Sequence, residues 1–195
     1  MTGADRGVPY YVSRVYSRTL KDVLRTVEAL TEEQLHRCPT NTNSIAFNVW
    51  HLARWADHLA SILSEMSPSL RQRLGATPEI WTAEGLQARW KFPADLGQAA
   101  TGMELDADAA AALPMPTKDV LLDYAKRAFA KAERAVASLR EDDLLVDARI
   151  DPARVPWIEP TESYGPPLSW VLVYARHDNR HLGMIEAIKG ASATS

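Results

Sequence analysis

The stretch WVLVYARHDNRHLGMIEAIKG, residues 170–190, places two histidines inside an apolar helical pattern. Large side chains recur at steps of three and four residues, which is the period of one helix face. That face consists of Trp170, Tyr174, His177, His181, Met184 and Ile188. The pattern predicts a helix from about Pro167 to Lys189, ended by Gly190, with both histidines on its apolar face.

Three further segments have the same helical period. They run from about Pro9 to Leu30, from about Ser44 to Glu65 and from about Thr117 to Leu139. Each has an apolar stripe along one face, and no convincing strand pattern lies between them. Four long helices in 195 residues predict an all-α fold, a four-helix bundle with long crossover connections. We expect a single domain over residues 1–190 and a disordered tail over residues 191–195.

The connections between the long helices are rich in proline and glycine. About fifty residues separate the second long helix from the third, and another proline-rich connection precedes the last helix. Short helices are expected after Thr31 and from about Pro78 to Trp90. Long connections often form lids or pocket walls, so Trp81, Trp157 and Tyr164 could wall a pocket, although packing alone also explains such aromatics.

Composition and charge exclude several classes of partner. A net charge of −3, without any Lys/Arg tract, predicts that the protein has no nucleic-acid partner. No apolar window is long enough to span a bilayer, and the N-terminal segment lacks the apolar core of a signal peptide. The single cysteine, Cys38, cannot build an internal disulfide framework. We therefore expect a cytoplasmic protein without a membrane partner, and we interpret Cys38 as incidental rather than catalytic.

The spacing of the histidines suggests a metal site. His177 and His181 are four residues apart, so a helix brings both side chains to one face, about one turn apart. Two ligands of one zinc, nickel or iron ion can use this spacing, and His51, on the second long helix, is the natural third ligand. His58 is two turns further along, so we do not expect one ion to bind both, and His36 lies in an expected loop.

The spacing also has a structural interpretation. Histidines near a core are usually hydrogen-bonded and structural, and from the spacing alone this reading and a metal site are about equally supported. The apolar flanks favour the metal, because two buried imidazoles need polar partners and a shared ion satisfies both.

Polar residues next to these histidines are candidates for secondary roles. Asp178 stands where the zincin motif His-Glu-x-x-His has glutamate, and its shorter side chain argues against that class of protease. Asp178 or Asn179 could instead orient an imidazole. Arg54, Arg176 and Arg180 could bind an anionic substrate. Alternatively, Arg54 could be solvated or pair with Asp57 or His58, and Arg176 and Arg180 could lie on a solvated helix face. The sequence identifies no catalytic residue and no cofactor-binding residue beyond the candidate metal ligands.

Three stretches resemble signatures of one family, the DinB-like superfamily of four-helix-bundle metalloproteins. TNSIAFNVWHLARWADHLASIL, residues 42–63, resembles its second-helix signature, and residues 170–190 resemble the last-helix signature with its His-x-x-x-His pair. The segment 102–139, GMELDADAAAALPMPTKDVLLDYAKRAFAKAERAVASL, is similar to the matching stretch of one branch. The resemblance covers most of residues 10–190.

This resemblance implies a fold, a metal and a range of activities. It implies an up-down-down-up bundle in which His51, His177 and His181 hold a divalent metal, nickel or zinc. Members are often dimers, so a homodimer is expected. Some members are thiol-dependent transferases or isomerases that use mycothiol, bacillithiol or glutathione, as mycothiol-dependent maleylpyruvate isomerase does. No thiol-binding residue of the family can be matched onto this sequence.

The expected function is therefore a metal-dependent enzyme. Three protein ligands leave a coordination position open, which is typical of a catalytic site. The leading hypothesis is a thiol-dependent transferase or isomerase that acts on a small electrophilic substrate, with a low-molecular-weight thiol as a second cofactor. One alternative is a metal-dependent hydrolase that uses metal-bound water. Another is a non-enzymatic, stress-linked protein that binds the metal.

Overall fold

The computed structural model of the protein describes residues 7–39, 42–159, 161 and 163–192. Four long helices coincide with the four predicted segments, and the fold is predominantly helical, which confirms the predicted all-α class. The long helices are α1 (Val8–Glu28), α3 (Ile45–Glu65), α8 (Lys118–Ala137) and α10 (Pro167–Ser192). The shorter elements described are α2 (Glu32–His36), α4 (Pro68–Leu74), α5 (Ile80–Ala83), α6 (Leu86–Arg89), α7 (Ala107–Ala111), α9 (Glu141–Leu144), a 3-10 turn (Pro152–Arg154), and strands β1 (Ala148–Arg149) and β2 (Tyr164–Gly165).

Local sequence explains where several helices begin. Ser44 caps α3, since its hydroxyl accepts a hydrogen bond from the backbone N–H of Phe47 at 3.1 Å. Thr31 and Gln34 form a reciprocal capping box at the start of α2, at the position where the sequence predicts a helix start. Proline occupies the first turn of α1 and α4, where its missing N–H costs nothing. The caps therefore place the elements near their predicted starts.

The first and last long helices run in the same direction. The Thr19 hydroxyl lies 3.3 Å from Asn179 Oδ1, and Lys189 Nζ donates to the Thr26 carbonyl oxygen at 3.4 Å. The residue numbers rise together along both helices. Helices α1 and α10 are therefore parallel neighbours.

The two middle long helices run in the opposite direction. Asn48 contacts His181, and His58, further along α3, contacts the earlier residue Tyr174 of α10. Contacts of α8 with α1 are ordered in the same inverse way. The bundle is therefore up-down-down-up, as the family resemblance implies.

Helix α3 is the most deeply enclosed element of the fold. Every residue from Ile45 to Ser64 is buried, with α8, α10 and the short helices α2, α4 and α5 packed around it. A helix that is buried on all sides normally carries only apolar side chains. Helix α3 instead buries several polar ones, Asn48, His51, Arg54, Asp57 and His58. Each of these needs a partner inside the protein, because a buried polar group without one is destabilising.

The structure corrects the sequence analysis at some points. Strands β1 and β2 form a small antiparallel pair, so the expectation of no strand was wrong; two-residue strands are too short to show alternation. The helix predicted over Pro78 to Trp90 is split into α5 and α6 at Gly85, whose φ of 60° is left-handed. Helix α10 continues to Ser192, beyond its predicted end.

The predicted domain limits remain predictions. Residues 1–6 and the last three residues of the expected tail, 193–195, lie outside the described residues. Within the described part of the chain, no helix is both long and apolar enough to cross a membrane.

Candidate metal centre

Three histidines from two antiparallel helices meet at one point. His51 comes from α3, and His177 and His181 come from successive turns of α10. One ring nitrogen of each lies within 4.8 Å of the others, and the Nε2 atoms of His51 and His177 are 2.9 Å apart. The structure thus brings together the three histidines that the sequence singles out.

Each of these imidazoles is fixed through its other ring nitrogen. In every case Nδ1 lies against an oxygen atom that accepts a hydrogen bond, so Nδ1 carries the proton and Nε2 is left with a lone pair. The pairs are His51 with the Thr101 carbonyl oxygen at 2.5 Å, His177 with Asp178 Oδ1 at 3.0 Å, and His181 with Asn48 Oδ1 at 2.8 Å. All three rings are therefore held in the tautomer that can bind a cation through Nε2.

Burial keeps these imidazoles neutral. It lowers the pKa of His177 to about 3, with the positive charge of Arg180 acting in the same direction. Burial and the neighbouring His177 and Arg180 lower the pKa of His181 to about 3. The pKa of His51 is also lowered well below its usual value, first by burial and then by the two other rings. A neutral imidazole is the form that binds a metal ion.

The donor set fits a divalent cation. With Nδ1 protonated in both rings, the His51 and His177 Nε2 atoms are two acceptors 2.9 Å apart, an approach that a shared cation would stabilise. Two nitrogens bonded to one zinc ion at about 2.0–2.1 Å lie at most about 4 Å apart, which agrees with that distance. Imidazole nitrogen suits zinc, nickel, copper and iron.

Asp178 orients the His177 ring, and Asn179 does not contact it. The Asp178 side chain is fully buried, and burial raises the pKa of its carboxyl group well above the usual range. A positive charge on the far side of His177 would oppose that rise. Asn179 faces α1 and donates to the Ala175 carbonyl oxygen at 2.8 Å. Of the two candidates that the sequence left open, the structure places only Asp178 at an imidazole.

The remaining candidates lie elsewhere. His58 is buried two turns along α3, where its Nδ1 lies 2.6 Å from the Tyr174 hydroxyl, and His36 pairs with Glu32 on α2. Both are outside the three-histidine group. Arg176 and Arg180 are exposed on α10.

Arg54 is buried and binds other parts of the chain. Its closest charged partner is Glu79 at 2.6 Å, and the predicted contact with Asp57 is present at 3.6 Å.

An open cavity of about 680 Å³ lies close to the histidines. Trp55 stacks on His177 with ring centroids 3.8 Å apart, and Trp157, which lines the cavity, lies 4.9 Å from Trp55. Tyr164 also lines this cavity, as the sequence suggested. Trp81 does not line it, because it packs against Trp50 and other aromatic rings on another side of α3. A second cavity, of about 420 Å³, is lined by Asn48 and Met184 beside His181.

Sequence reasoning missed two partners of the histidines. Asn48 lies three residues before His51, so helical spacing could have indicated it as a neighbour of the site. Thr101 contributes a backbone carbonyl oxygen, and no pattern of side chains in the sequence predicts such a contact.

The fold and the histidine cluster define a class: a helical bundle compatible with metal binding. The chain belongs to the DinB superfamily, whose sequence profile matches residues 16–185. A crystal structure of a conserved protein from Enterococcus faecalis has a similar fold, with a TM-score of 0.59 and 15% identity, over 92% of this chain and 98% of that one. Comparison with curated proteins gives no match.

Proposed function

We propose that the protein is a metal-dependent enzyme in which His51, His177 and His181 hold a divalent cation, zinc or nickel. The observation that carries this proposal is the arrangement of the ring nitrogens. Each Nδ1 lies against an oxygen acceptor, one ring nitrogen of each histidine lies within 4.8 Å of the others, and the Nε2 atoms of His51 and His177 are 2.9 Å apart. Core histidines without a metal need a donor for each Nε2 lone pair, and this arrangement provides none between His51 and His177.

Residues around the histidines would prepare the site for chemistry. A divalent cation with three protein ligands would supply an open position at which a thiol or water molecule loses its proton near neutral pH. Thr101, Asp178 and Asn48 hold the three rings in place. Trp55 covers one face of His177 and limits access of water from that side. The side chain of His177 remains 18% exposed, so a small reactant can approach it.

We propose that the reaction is a thiol-dependent transfer or isomerisation of a small electrophilic substrate. The cavity of about 680 Å³, which Trp55 and Trp157 separate from His177, falls in the range of small-molecule sites, about 300–1,000 Å³. Its wall combines the aromatic side chains of Trp157 and Trp170 with polar groups such as Gln98 and Ser169. Such a wall suits a polar thiol cofactor together with a small substrate. The family resemblance supports the same reaction class.

We also propose that the protein acts as a homodimer in the cytoplasm. Tyr11 and Val15 of α1 and Leu172 of α10 are large apolar side chains that are 57%, 59% and 52% exposed. Burial of these exposed apolar side chains against a second copy of the chain would be favourable. Light scattering across a range of protein concentrations tests the dimer, and Val15→Glu is expected to weaken it.

Metal content and thiol binding test the proposed activity. Purified protein supplied with Zn²⁺ or Ni²⁺ is expected to bind one ion per chain, and His177→Ala to bind far less. Calorimetry with mycothiol, bacillithiol or glutathione is expected to show binding only in the metal-loaded protein. Conjugation of the bound thiol to a chromogenic electrophile would complete the evidence. Absence of metal binding in folded wild-type protein would contradict the proposal.

The same assays separate the alternatives. Hydrolysis of model esters or amides by the loaded protein, without thiol, would favour a hydrolase that uses water. Metal binding with neither activity would favour a non-enzymatic metal-binding protein.

A further inference from the structure

The carbonyl oxygen that binds His51 lies in a backbone loop of unusual conformation. Residues 97–104 form a tight loop closed by a hydrogen bond from the Gln98 N–H to the Met103 carbonyl oxygen at 3.1 Å. Ala99 and Ala100 have φ angles of 48° and 52°, in the left-handed region that residues with a Cβ atom avoid. Such a conformation persists only where the surroundings hold it in place.

Close packing against α3 is one part of what holds the loop. Thr101 is fully buried. Gly102 has a φ of 87°, and a Cβ atom there would lie 2.6 Å from the Trp50 ring, so only glycine fits. The loop therefore lies directly on the face of α3 that carries His51.

Arg54 provides the second and more specific restraint. It lies three residues after His51 on α3, and it is 1% exposed. Its Nε donates to the Ala100 carbonyl oxygen at 2.9 Å, and its Nη2 donates to the Ala99 carbonyl oxygen at 3.2 Å. The guanidinium group thus binds the two carbonyl groups that immediately precede the one on His51.

Glu79 fixes the guanidinium group by binding Nη2, the atom that also donates to Ala99. Its Oε2 accepts from Arg54 Nη2 at 2.6 Å, and its Oε1 accepts from Arg154 at 3.2 Å. The Tyr124 hydroxyl lies 3.4 Å from Arg54 Nη1. A buried arginine with this many partners has little freedom to move, so it can act as a rigid template for the loop.

We propose that Arg54, paired with Glu79, is a positioning residue of the histidine site. By binding the Ala99 and Ala100 carbonyl groups, it holds the Thr101 carbonyl oxygen against His51 Nδ1. It thereby fixes the tautomer and the orientation of the only histidine that α3 contributes to the cluster. This proposal rests on the proposed metal-binding function and extends it to residues that lie outside the cluster.

Lysine at position 54 separates this role from simple charge pairing. A lysine ammonium group keeps the positive charge beside Glu79, but it lacks the planar fork that reaches both carbonyl oxygens and the carboxylate. Arg73, which pairs with the buried carboxylate of Asp143 away from the loop, offers a matched control. Arg73→Lys makes the same chemical change at an ion pair that does not contact residues 97–104.

The experiment has one readout without metal and one with metal. In metal-free, ¹⁵N-labelled protein, the His51 Nδ1–H signal is assigned by its loss in His51→Gln. We expect it to be protected in wild type and Arg73→Lys, and weakened or lost through water exchange in Arg54→Lys. Competition with a chromophoric chelator is expected to show Zn²⁺ affinity at least about tenfold lower in Arg54→Lys, and within about twofold of wild type in Arg73→Lys.

The possible results decide between the interpretations. Folded Arg54→Lys that keeps both the protected ring proton and wild-type Zn²⁺ affinity would overturn the proposal. If Arg54→Lys does not fold, Glu79→Gln takes its place, with weakening of the ring-proton signal expected and full retention contradicting the proposal. If wild type binds no Zn²⁺, the proposed function fails, while the ring-proton comparison still decides the role of Arg54.

Discussion

Two polar clusters one helical turn apart on α3 are satisfied in opposite ways. The histidine site consists of neutral rings whose Nδ1 atoms are hydrogen-bonded to oxygen and whose Nε2 atoms are left as acceptors. The charged cluster around Arg54 and Asp57 consists of groups that bind one another. Asp57 alone accepts from the Ile80 and Trp81 backbone N–H groups, from Lys131 Nζ and from the Tyr124 hydroxyl. The histidine site therefore keeps lone pairs that can bind a ligand, whereas the groups of the charged cluster are already bonded to one another.

The pKa shifts of the two clusters follow this difference. Burial lowers the pKa values of His177 and His181, and the positive charge of Arg180 acts in the same direction. Burial alone would raise the pKa of Glu79, but the Arg54 guanidinium and His58 lower it, so that the pKa lies below its ordinary value. A buried group therefore stays neutral when it lacks an opposite charge and stays ionised when one is bonded to it.

Removing Asp57 should have the largest effect on stability. Asp57→Ala removes a fully buried carboxylate that pairs with Lys131 and Arg54 and accepts from two backbone N–H groups, and we expect it to lower the free energy of unfolding by about 3–5 kcal/mol. Urea denaturation measures this change. Asp123→Ala, at an exposed carboxylate paired with Arg127, should cost less than about 1 kcal/mol. A similar small cost for both variants would show that the charged cluster is not structural.

Removing the metal tests whether the histidine site binds a cation that stabilises the fold. Protein saturated with Zn²⁺ at about 1,000 times its Kd should be stabilised by about 4 kcal/mol, because the ion binds only the folded state. A chelator should therefore lower the Tm of wild type measured by scanning calorimetry. The Tm of His177→Ala should hardly respond to the chelator. An unchanged Tm, in wild-type protein shown beforehand to contain metal, would argue against a metal ion that links α3 to α10.

The pH dependence of stability should reveal the contribution of His58, which follows Asp57 on α3. Burial lowers its pKa to about 4, against about 6.5 in the unfolded chain. The unfolded state therefore binds more protons between these values, so the stability from His58 is complete above pH 6.5 and is lost as the pH falls towards 4. The loss should be on the order of 3 kcal/mol.

Comparison with His58→Gln isolates this contribution from that of the three other buried histidines. The free energy of unfolding of His58→Gln should depend less steeply on pH in this range than that of wild type. Equal slopes would indicate that His58 is not kept neutral by burial.

The smallest effect should come from Asn48. Asn48→Ala removes the acceptor for His181 Nδ1, so the ring loses its fixed tautomer. Loss of such an outer partner lowers metal affinity by about 10- to 100-fold, or about 1–3 kcal/mol. Asn179→Ala is the matched control, since Asn179 lies on α10 near the site but faces α1. Equal affinities of the two variants would mean that the Asn48 contact does not orient His181.

The sequence predicted the elements better than their long-range partners. Helical period located α3 and α10, and spacing along them selected His51 and the His177–His181 pair, because contacts within a helix repeat regularly. The partner of Arg54 is Glu79, 25 residues away, and the sequence indicated only its near neighbours Asp57 and His58. The contact of the Thr101 carbonyl oxygen with His51 could not be predicted either, because it depends on a loop with left-handed φ angles that no local sequence pattern specifies.

The complete enclosure of α3 has a consequence for how the protein opens. Since no face of the helix from Ile45 to Ser64 meets solvent, no partial detachment of a surface segment exposes all its backbone amides. Their exchange with deuterium should therefore require separation of the whole bundle, and its rate would measure the global unfolding free energy. Helix α10, with exposed positions along much of its length, should exchange through smaller openings and at differing rates.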